Sequence, residues 1–580
     1  MKQDMKSEEK KSASKNIPQD HHVPEPQKLM RERLDKLRVR VSKEAAQPYL
    51  SGDHNRKPAS KYSYKLKVPG MIRLLFAIAI FATELILFII LSVALRDLSV
   101  GFFLLLQIIA LILVLHITQK HRNSAFTLSW TVLLLSFPPL GLILYLFWGR
   151  EGRFPRKEAK LRAAQKRLQA WQPDIQKQTE KIEHLSLSTA PYLQLNYLSK
   201  NGFALYQNSS AHYYASGEEQ FEQMFKDLER AEHFILIEYF IVAEGQILQR
   251  IQDILIRKAK EGVEVRFLMD DFGSVAKAPT HLIRTLRENG VKVQNFNPVN
   301  RYISKLYVNY RNHQKVCVID GQIAWFGGTN LADEYANIYE RYGYWKDCAV
   351  RVTGEACRGA TIGFFIMWEL ESGHGEKSYS PFFPDLSATR FAPEDGKQHV
   401  FVPYWDGPLM NQGNPAEDLY LSMFNTAKRE LLIITPYFVI DEHMMSDLCR
   451  AARSGVQVML LCPGIPDKKA VNCITRSNYG PLLKAGARVF EYIPGFIHCK
   501  TAILDGEAVI TGSINLDYRS LFLHYENAVY IHDDPVVQEI RDDFFETLEQ
   551  SREISLEDWQ NRPFRIRLLE PLLKIFSPLL

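Results

Sequence analysis

His313-Gln-Lys-Val-Cys-Val-Ile-Asp320 and His498-Cys-Lys-Thr-Ala-Ile-Leu-Asp505 are two copies of one pattern, H-x-K-x4-D, and their pairing decides how the chain reads. His498 follows His313 by 185 residues. A glycine turn and an asparagine come after each copy, Gly327-Gly-Thr-Asn330 and Gly512-Ser-Ile-Asn515, and Gly512 follows Gly327 by the same 185 residues. A motif and a turn that keep their register over that interval mark an internal duplication.

The repeat extends outward. Helical stretches around Phe225 and Phe424 lead into Ile235-Leu-Ile-Glu-Tyr-Phe-Ile241 and Leu432-Ile-Ile-Thr-Pro-Tyr-Phe-Val439. Further helices lead into Gly262-Val-Glu-Val-Arg-Phe-Leu268 and Gly455-Val-Gln-Val-Met-Leu-Leu461. Strand-length apolar runs alternating with amphipathic helices predict an α/β layered fold. The expectation is two pseudo-symmetric α/β halves, 191–397 and 398–555, sharing one active site and preceded by a transmembrane helical region.

In a strand, H-x-K places its histidine and lysine on one face, because side chains alternate with period two. Two such strands can bring two imidazoles and two ammonium groups into one cleft. Thr329, Asn330, Ser513 and Asn515 would add neutral donors at its edge, where a phosphodiester would bind. One histidine can attack phosphorus while the other, protonated, supplies the leaving alkoxide. The catalytic set is therefore His313, Lys315, Asp320, His498, Lys500 and Asp505. The two aspartates lie past the strand ends, where holding loops or lysines suits them better than meeting substrate.

Each histidine also needs an acceptor on its other ring nitrogen. Asp347, 34 residues after His313, and Glu526, 28 residues after His498, are the candidates. Isolated histidines such as His281 and His524 read as structural. The sequence shows no carboxylate cluster or Cys/His set that would hold a metal. Neither a metal nor a cofactor is expected.

The remaining sequence locates this chemistry. Residues 1–69 are polar and charged, rich in Gln, Ser and Lys, and read as a disordered cytosolic tail with a basic helix possible over 30–42. Three apolar segments follow, at 71–95, 101–118 and 126–148. The first carries Glu84, and the third is interrupted by Pro138, Pro139 and Gly141. Basic residues flank them: Lys65, Lys67 and Arg73; Lys120, His121 and Arg122; Arg150, Arg153, Arg156 and Lys157. Two spans plus a re-entrant or interfacial third segment would put every basic cluster, and the catalytic halves, on the cytoplasmic side. Basic residues crowding apolar runs favour anionic lipid head groups over nucleic acid as the nearby polyanion. Residues 150–190 read as a charged connector, and 556–580 as an amphipathic segment lying on the membrane or docked on the globular part. Seven cysteines, an odd number without a framework, suggest free thiols in a reducing compartment, with Cys317 and Cys499 packed in strands.

With both motifs in place, roughly residues 70–580 resemble the phospholipase D superfamily, and within it the bacterial cardiolipin synthases. The subfamily likeness rests on Phe267-Leu-Met-Asp-Asp-Phe-Gly-Ser274, Pro463-Gly-Ile-Pro-Asp-Lys-Lys469, Thr475-Arg-Ser-Asn-Tyr479 and Tyr492-Ile-Pro-Gly-Phe-Ile-His498. Gly512-Ser-Ile-Asn-Leu-Asp-Tyr-Arg-Ser520 and the closing Phe576-Ser-Pro-Leu-Leu580 add to it. The resemblance implies phosphatidyl transfer between two phosphatidylglycerol molecules in the bacterial cell membrane, giving cardiolipin and glycerol through a phosphohistidine. It also implies that His313 is the nucleophile and His498 the acid/base; the residues alone do not order them. A membrane-bound phospholipase D that uses water or another alcohol as acceptor would need the same residues. Oligomeric state is not legible.

Overall fold

The valine-, isoleucine- and leucine-rich runs of both repeats become central strands, Phe234–Tyr239 and Glu430–Ile434, buried along their whole length. Such runs suit strands covered by helices on both faces. The computed structural model describes residues 86, 99–119, 123–149, 155–298, 310–411 and 413–579. Among these, the strands form two large mixed sheets. The first runs Ser209–Tyr214, Ala349–Gly354, Ile323–Gly327, Val316–Ile319, Phe234–Tyr239, Glu264–Asp270, Lys292–Phe296. The second runs Val400–Asp406, His524–His532, Ala508–Gly512, Thr501–Leu504, Glu430–Ile434, Gln457–Pro463, Arg488–Tyr492, Ser551–Ile554. In each, the strand after the histidine motif is hairpinned to its neighbour through an Asp-Gly turn. Asp320 and Gly321 have φ of 52° and 65°, Asp505 and Gly506 of 53° and 67°. Asp-Gly tolerates the left-handed backbone of such tight turns.

Two short parallel pairings join the halves, and they position the site. Arg311–Asn312, just before His313, pairs with His524 and Tyr525 at the start of the strand carrying Glu526. Gly495–Ile497, just before His498, pairs with Tyr344–Lys346, just before Asp347.

The segment expected as a connector is built into the globular part. Leu161, Ala164 and Leu168 of helix Pro155–Gln169 are buried, and Arg167 pairs with Glu369 of helix Cys357–Ser372. Its apolar face was missed because three buried residues on a highly charged helix leave a weak pattern. Lys157, grouped in sequence with the membrane-flanking cations, instead donates to Asn297 Oδ1 at 3.1 Å. The boundary near 190 is also less clean than expected. Helix Thr189–Lys200, mostly assigned to the first half, docks on the second: Tyr197 donates to Asp418, and Gln194 bonds Thr426 and Tyr530.

Within the apolar region, Ser99–Thr118 is the one described helix long and apolar enough to cross a membrane. The third apolar segment is not one straight helix. Ser124–Ser136 ends at Phe137, where Pro138 cannot continue the hydrogen bonding, and Pro138–Leu144 starts anew. The Trp130 and Tyr145 rings meet at 5.4 Å, although fifteen residues of straight helix span about 22 Å. The chain therefore doubles back here. The segment 71–95 with Glu84, apart from Ile86, and the whole tail 1–69 lie outside the described residues.

Helix Phe564–Phe576 is docked and outward-facing at once. Leu573 packs with Val439, Ile474 and Tyr518, and Ile575 O accepts from Ser129 Oγ. Phe564, Leu568 and Leu572 remain exposed.

Candidate active site

The H-x-K segments lie between a short strand and the hairpin strand rather than within either, a departure from the strand expected. His313 N–H donates to Tyr525 O at 2.9 Å, and His498 N–H to Lys346 O at 2.7 Å. Each histidine is thus fixed by the carbonyl of the residue preceding a carboxylate of the other half. The carboxylates then take the rings. Glu526 holds His313 Nδ1 with Oε1 at 2.9 Å and Oε2 at 3.0 Å, and Asp347 Oδ2 holds His498 Nδ1 at 2.7 Å. The acceptor for each histidine therefore follows the other histidine in sequence.

Lys315 and Lys500 fold back so that each Nζ donates to its own histidine's carbonyl, both at 2.5 Å. All four motif side chains are buried. Burial pushes Lys315 down to about 7 and Lys500 to about 8, with the positive charge of Lys500 lowering Lys315 further. Burial also holds His498 at about 4 and His313 well below the ordinary imidazole value. Burial by itself would raise Asp347 and Glu526. The facing imidazoles and lysines outweigh it and hold both carboxyls below their usual range. The resting site thus offers two neutral imidazoles whose Nδ1 atoms face carboxylates, leaving each Nε2 for chemistry.

The other expected residues divide. Ser513 Oγ donates to Glu526 Oε2 at 2.5 Å and so braces the carboxylate. Asn515 Oδ1 is buried without a hydrogen-bond partner. Thr329 donates to Gln220, and Asn330 is used at both ends, accepting from Ile241 N and donating to Tyr335. In this arrangement Asn330 ties loops together and offers little to a phosphate. Asp320 and Asp505, placed in the catalytic set, act on the backbone. Asp320 accepts from the amides of Glu232, His233 and Phe234, and Asp505 from those of Lys428, Arg429 and Glu430. Their place beyond the hairpin strands turns them toward the start of the neighbouring central strand.

Two features escaped sequence reasoning. Gly328 is required by close approach: a Cβ there would stand 2.4 Å from Asp347 Oδ1 and 2.9 Å from His498 O. His524, read as structural, lies with its ring 5.3 Å from that of His313 and its Nδ1 3.7 Å from Glu526 Oε1. Its signal was the period-two spacing to Glu526 on one strand. The corresponding place beside His498 holds Trp345, 5.4 Å away, with Tyr335 and Phe496 completing an aromatic wall. The fold also assembles two groups with metal-ligand spacing that no local sequence pattern announces: His313, His524 and Glu526, and Asp347, Cys348 and Cys499. All seven cysteines are free, as expected, and six are buried.

Residues 224–340 and 420–548 match the family described as "Cardiolipin synthase, PLD-like domain", and 105–150 match "Phospholipase_D-nuclease N-terminal". A cardiolipin synthase of Geobacillus kaustophilus is 34% identical over 83% of this chain and 94% of its own length. The major cardiolipin synthase ClsA of Bacillus subtilis is 32% identical over 84% of this chain and 100% of its own. Among solved structures, a phosphatidylserine synthase of Haemophilus influenzae superposes with a TM-score of 0.51 at 15% identity, covering 64% of this chain and 95% of that one. At that identity the likeness concerns the fold.

Proposed function

We propose a reaction from one premise that the relatives establish: the chain belongs to the cardiolipin synthase family of phospholipase D-like proteins. It transfers a phosphatidyl group between two phosphatidylglycerol molecules, giving cardiolipin and glycerol. The observation that carries this reading is the crossed pair of histidine–carboxylate contacts, which makes one site out of two motif copies. The halves act as a pseudo-symmetric pair, each supplying one histidine, one lysine and the carboxylate for the other's histidine.

His313 Nε2 attacks the donor phosphorus, and the bond from phosphorus to the terminal glycerol oxygen breaks. His498, protonated, gives its proton to that oxygen, so glycerol leaves neutral. The donor's phosphodiester anion raises His498 from its low resting value by bringing negative charge into the site. Next, the terminal hydroxyl of a second phosphatidylglycerol gives its proton to His498 and attacks the phosphohistidine. The phosphorus–nitrogen bond breaks and cardiolipin is released. Lys315 and Lys500 offset charge on the non-bridging oxygens. Asp347 and Glu526 hold the ring tautomers, as the buried carboxylate does beside a catalytic histidine elsewhere. Ser513 acts through Glu526, which it braces, and the Asn515 amide supplies a neutral donor to the phosphate.

The enzyme works at the cytoplasmic leaflet of the bacterial membrane, with residues 101–118 spanning and 126–148 re-entrant. The reversal at Phe137–Pro138 supports that topology. Anchoring keeps the site beside substrates confined to the bilayer, which raises their effective concentration.

Reconstitution into vesicles with labelled phosphatidylglycerol as sole substrate tests the proposal. Cardiolipin and glycerol should form in equal amounts. Phosphatidic acid as the main product would assign the chain to hydrolysis instead.

A further inference from the structure

We infer that His313, His524 and Glu526 form a binding site for a borderline-soft divalent metal such as zinc, and that occupancy switches the transfer reaction off. His524 Nδ1 is buried with no hydrogen bond within 3.5 Å, a condition explained in a native site by strain, a catalytic role, or an unseen water or ion; the imidazole and carboxylate facing it favour an ion. Glu526 Oε1 stands 2.9 Å from His313 Nδ1 and 3.7 Å from His524 Nδ1. Tetrahedral zinc with bonds of about 2.0–2.1 Å separates its ligand atoms by about 3.3 Å. These two distances bracket that value, and all three ligand atoms lie within 4.8 Å of one another, so a metal would draw the imidazoles together by up to about 1.5 Å.

Two imidazoles and one carboxylate are ligands that suit zinc, and copper or nickel, rather than magnesium or calcium, which prefer all-oxygen sites. Three protein ligands leave a fourth position for water or an anion. Binding consumes the His313 Nδ1 lone pair. The proton that Nδ1 carried moves to Nε2, and Glu526 turns from holding that proton to ligating the metal, so the Nε2 lone pair needed for attack is lost. The second group, Asp347 with Cys348 and Cys499, is the poorer site. Its members are at most 1% exposed, whereas His313 and His524 are 7% and 9% exposed. Burial also keeps the Cys499 thiol protonated, while zinc takes thiolate.

The test titrates the full chain, purified in detergent, with zinc chloride. Dialysis should find one zinc per chain, and X-ray absorption a nitrogen/oxygen shell with two imidazoles and no sulfur. Zinc should inhibit phosphatidyl transfer, EDTA should restore it, and magnesium should not inhibit. His524→Asn should weaken zinc binding by about 100-fold, since loss even of an outer-sphere partner costs about 10–100-fold. Cys348→Ser should leave binding intact. Sulfur in the shell, sub-stoichiometric zinc, or unchanged affinity in a folded His524→Asn would overturn the site. Metal binding is read without turnover, so a failure of the proposed reaction is a separate result.

Discussion

Asp347 accepts a 2.7 Å hydrogen bond from His498, 151 residues away, and not from His313, the motif histidine it follows in sequence. Glu526 completes the exchange by holding His313 across 213 residues. The cause is the pairing of Gly495–Ile497 with Tyr344–Lys346 and of Arg311–Asn312 with His524 and Tyr525, which seats each histidine beside the other half's carboxylate strand.

The exchange predicts which step each carboxylate controls. Glu526→Gln should slow phosphoenzyme formation, and Asp347→Asn should slow the proton transfers of both steps. Each should lower kcat by about 10³–10⁴-fold, as loss of a histidine-orienting carboxylate does elsewhere. Rapid-quench measurement of phosphoenzyme and glycerol separates them; equal effects on both steps in both variants would contradict the assignment.

Gly328→Ala should disable a folded enzyme. Its Cβ would lie 2.4 Å from Asp347 Oδ1, so the carboxylate and His498 must move. A displacement near 1 Å costs about 10² in rate. Turnover assayed beside thermal unfolding should show a large loss of kcat that outstrips any loss of stability.

Asp320→Ala and Asp505→Ala should do the reverse. Each removes an acceptor for three backbone amides at a left-handed turn position. A cost of about 2–3 kcal/mol in stability is expected, with kcat of the folded enzyme changed by no more than several-fold. The asparagine variants should recover part of the loss, because asparagine keeps an acceptor and tolerates the turn.

The pH dependence follows from the lysines. With Lys315 near 7 and Lys500 near 8 in the free enzyme, kcat/KM should fall as pH rises through that range, because the phosphodiester loses its cations. Bound substrate favours the charged forms, so the alkaline limb of kcat should lie higher. Stability moves oppositely. Between about pH 7 and the ordinary lysine value near 10.4 the unfolded chain binds more protons, so these groups add stability as pH rises. Rate profiles and thermal midpoints over pH 6–10 check both signs.

The motif histidines and lysines were legible because repeat spacing and strand periodicity can be read along the chain, and Asp347 and Glu526 could be named as candidate acceptors. The partner exchange was not, since nothing within either repeat records which strand edges meet across the interface. His524 was missed for the same reason: its importance comes from His313, brought in by that edge. Asn330 looked like a phosphate donor by its place after the turn, but Tyr335 and Ile241 N claim its side chain. Helix Pro155–Gln169 looked unattached because three buried residues carry its docking.

The most direct test of the central claim, one active site working through a phosphohistidine, uses phosphatidylglycerol labelled at phosphorus. The enzyme is incubated in mixed micelles, quenched in alkali, where phosphohistidine survives, and mapped by peptide. Label should sit on the peptide holding His313, persist longer in His498→Ala, and be absent from His313→Ala. Label on the His498 peptide instead, or cardiolipin formed at wild-type rate by either variant, would contradict it.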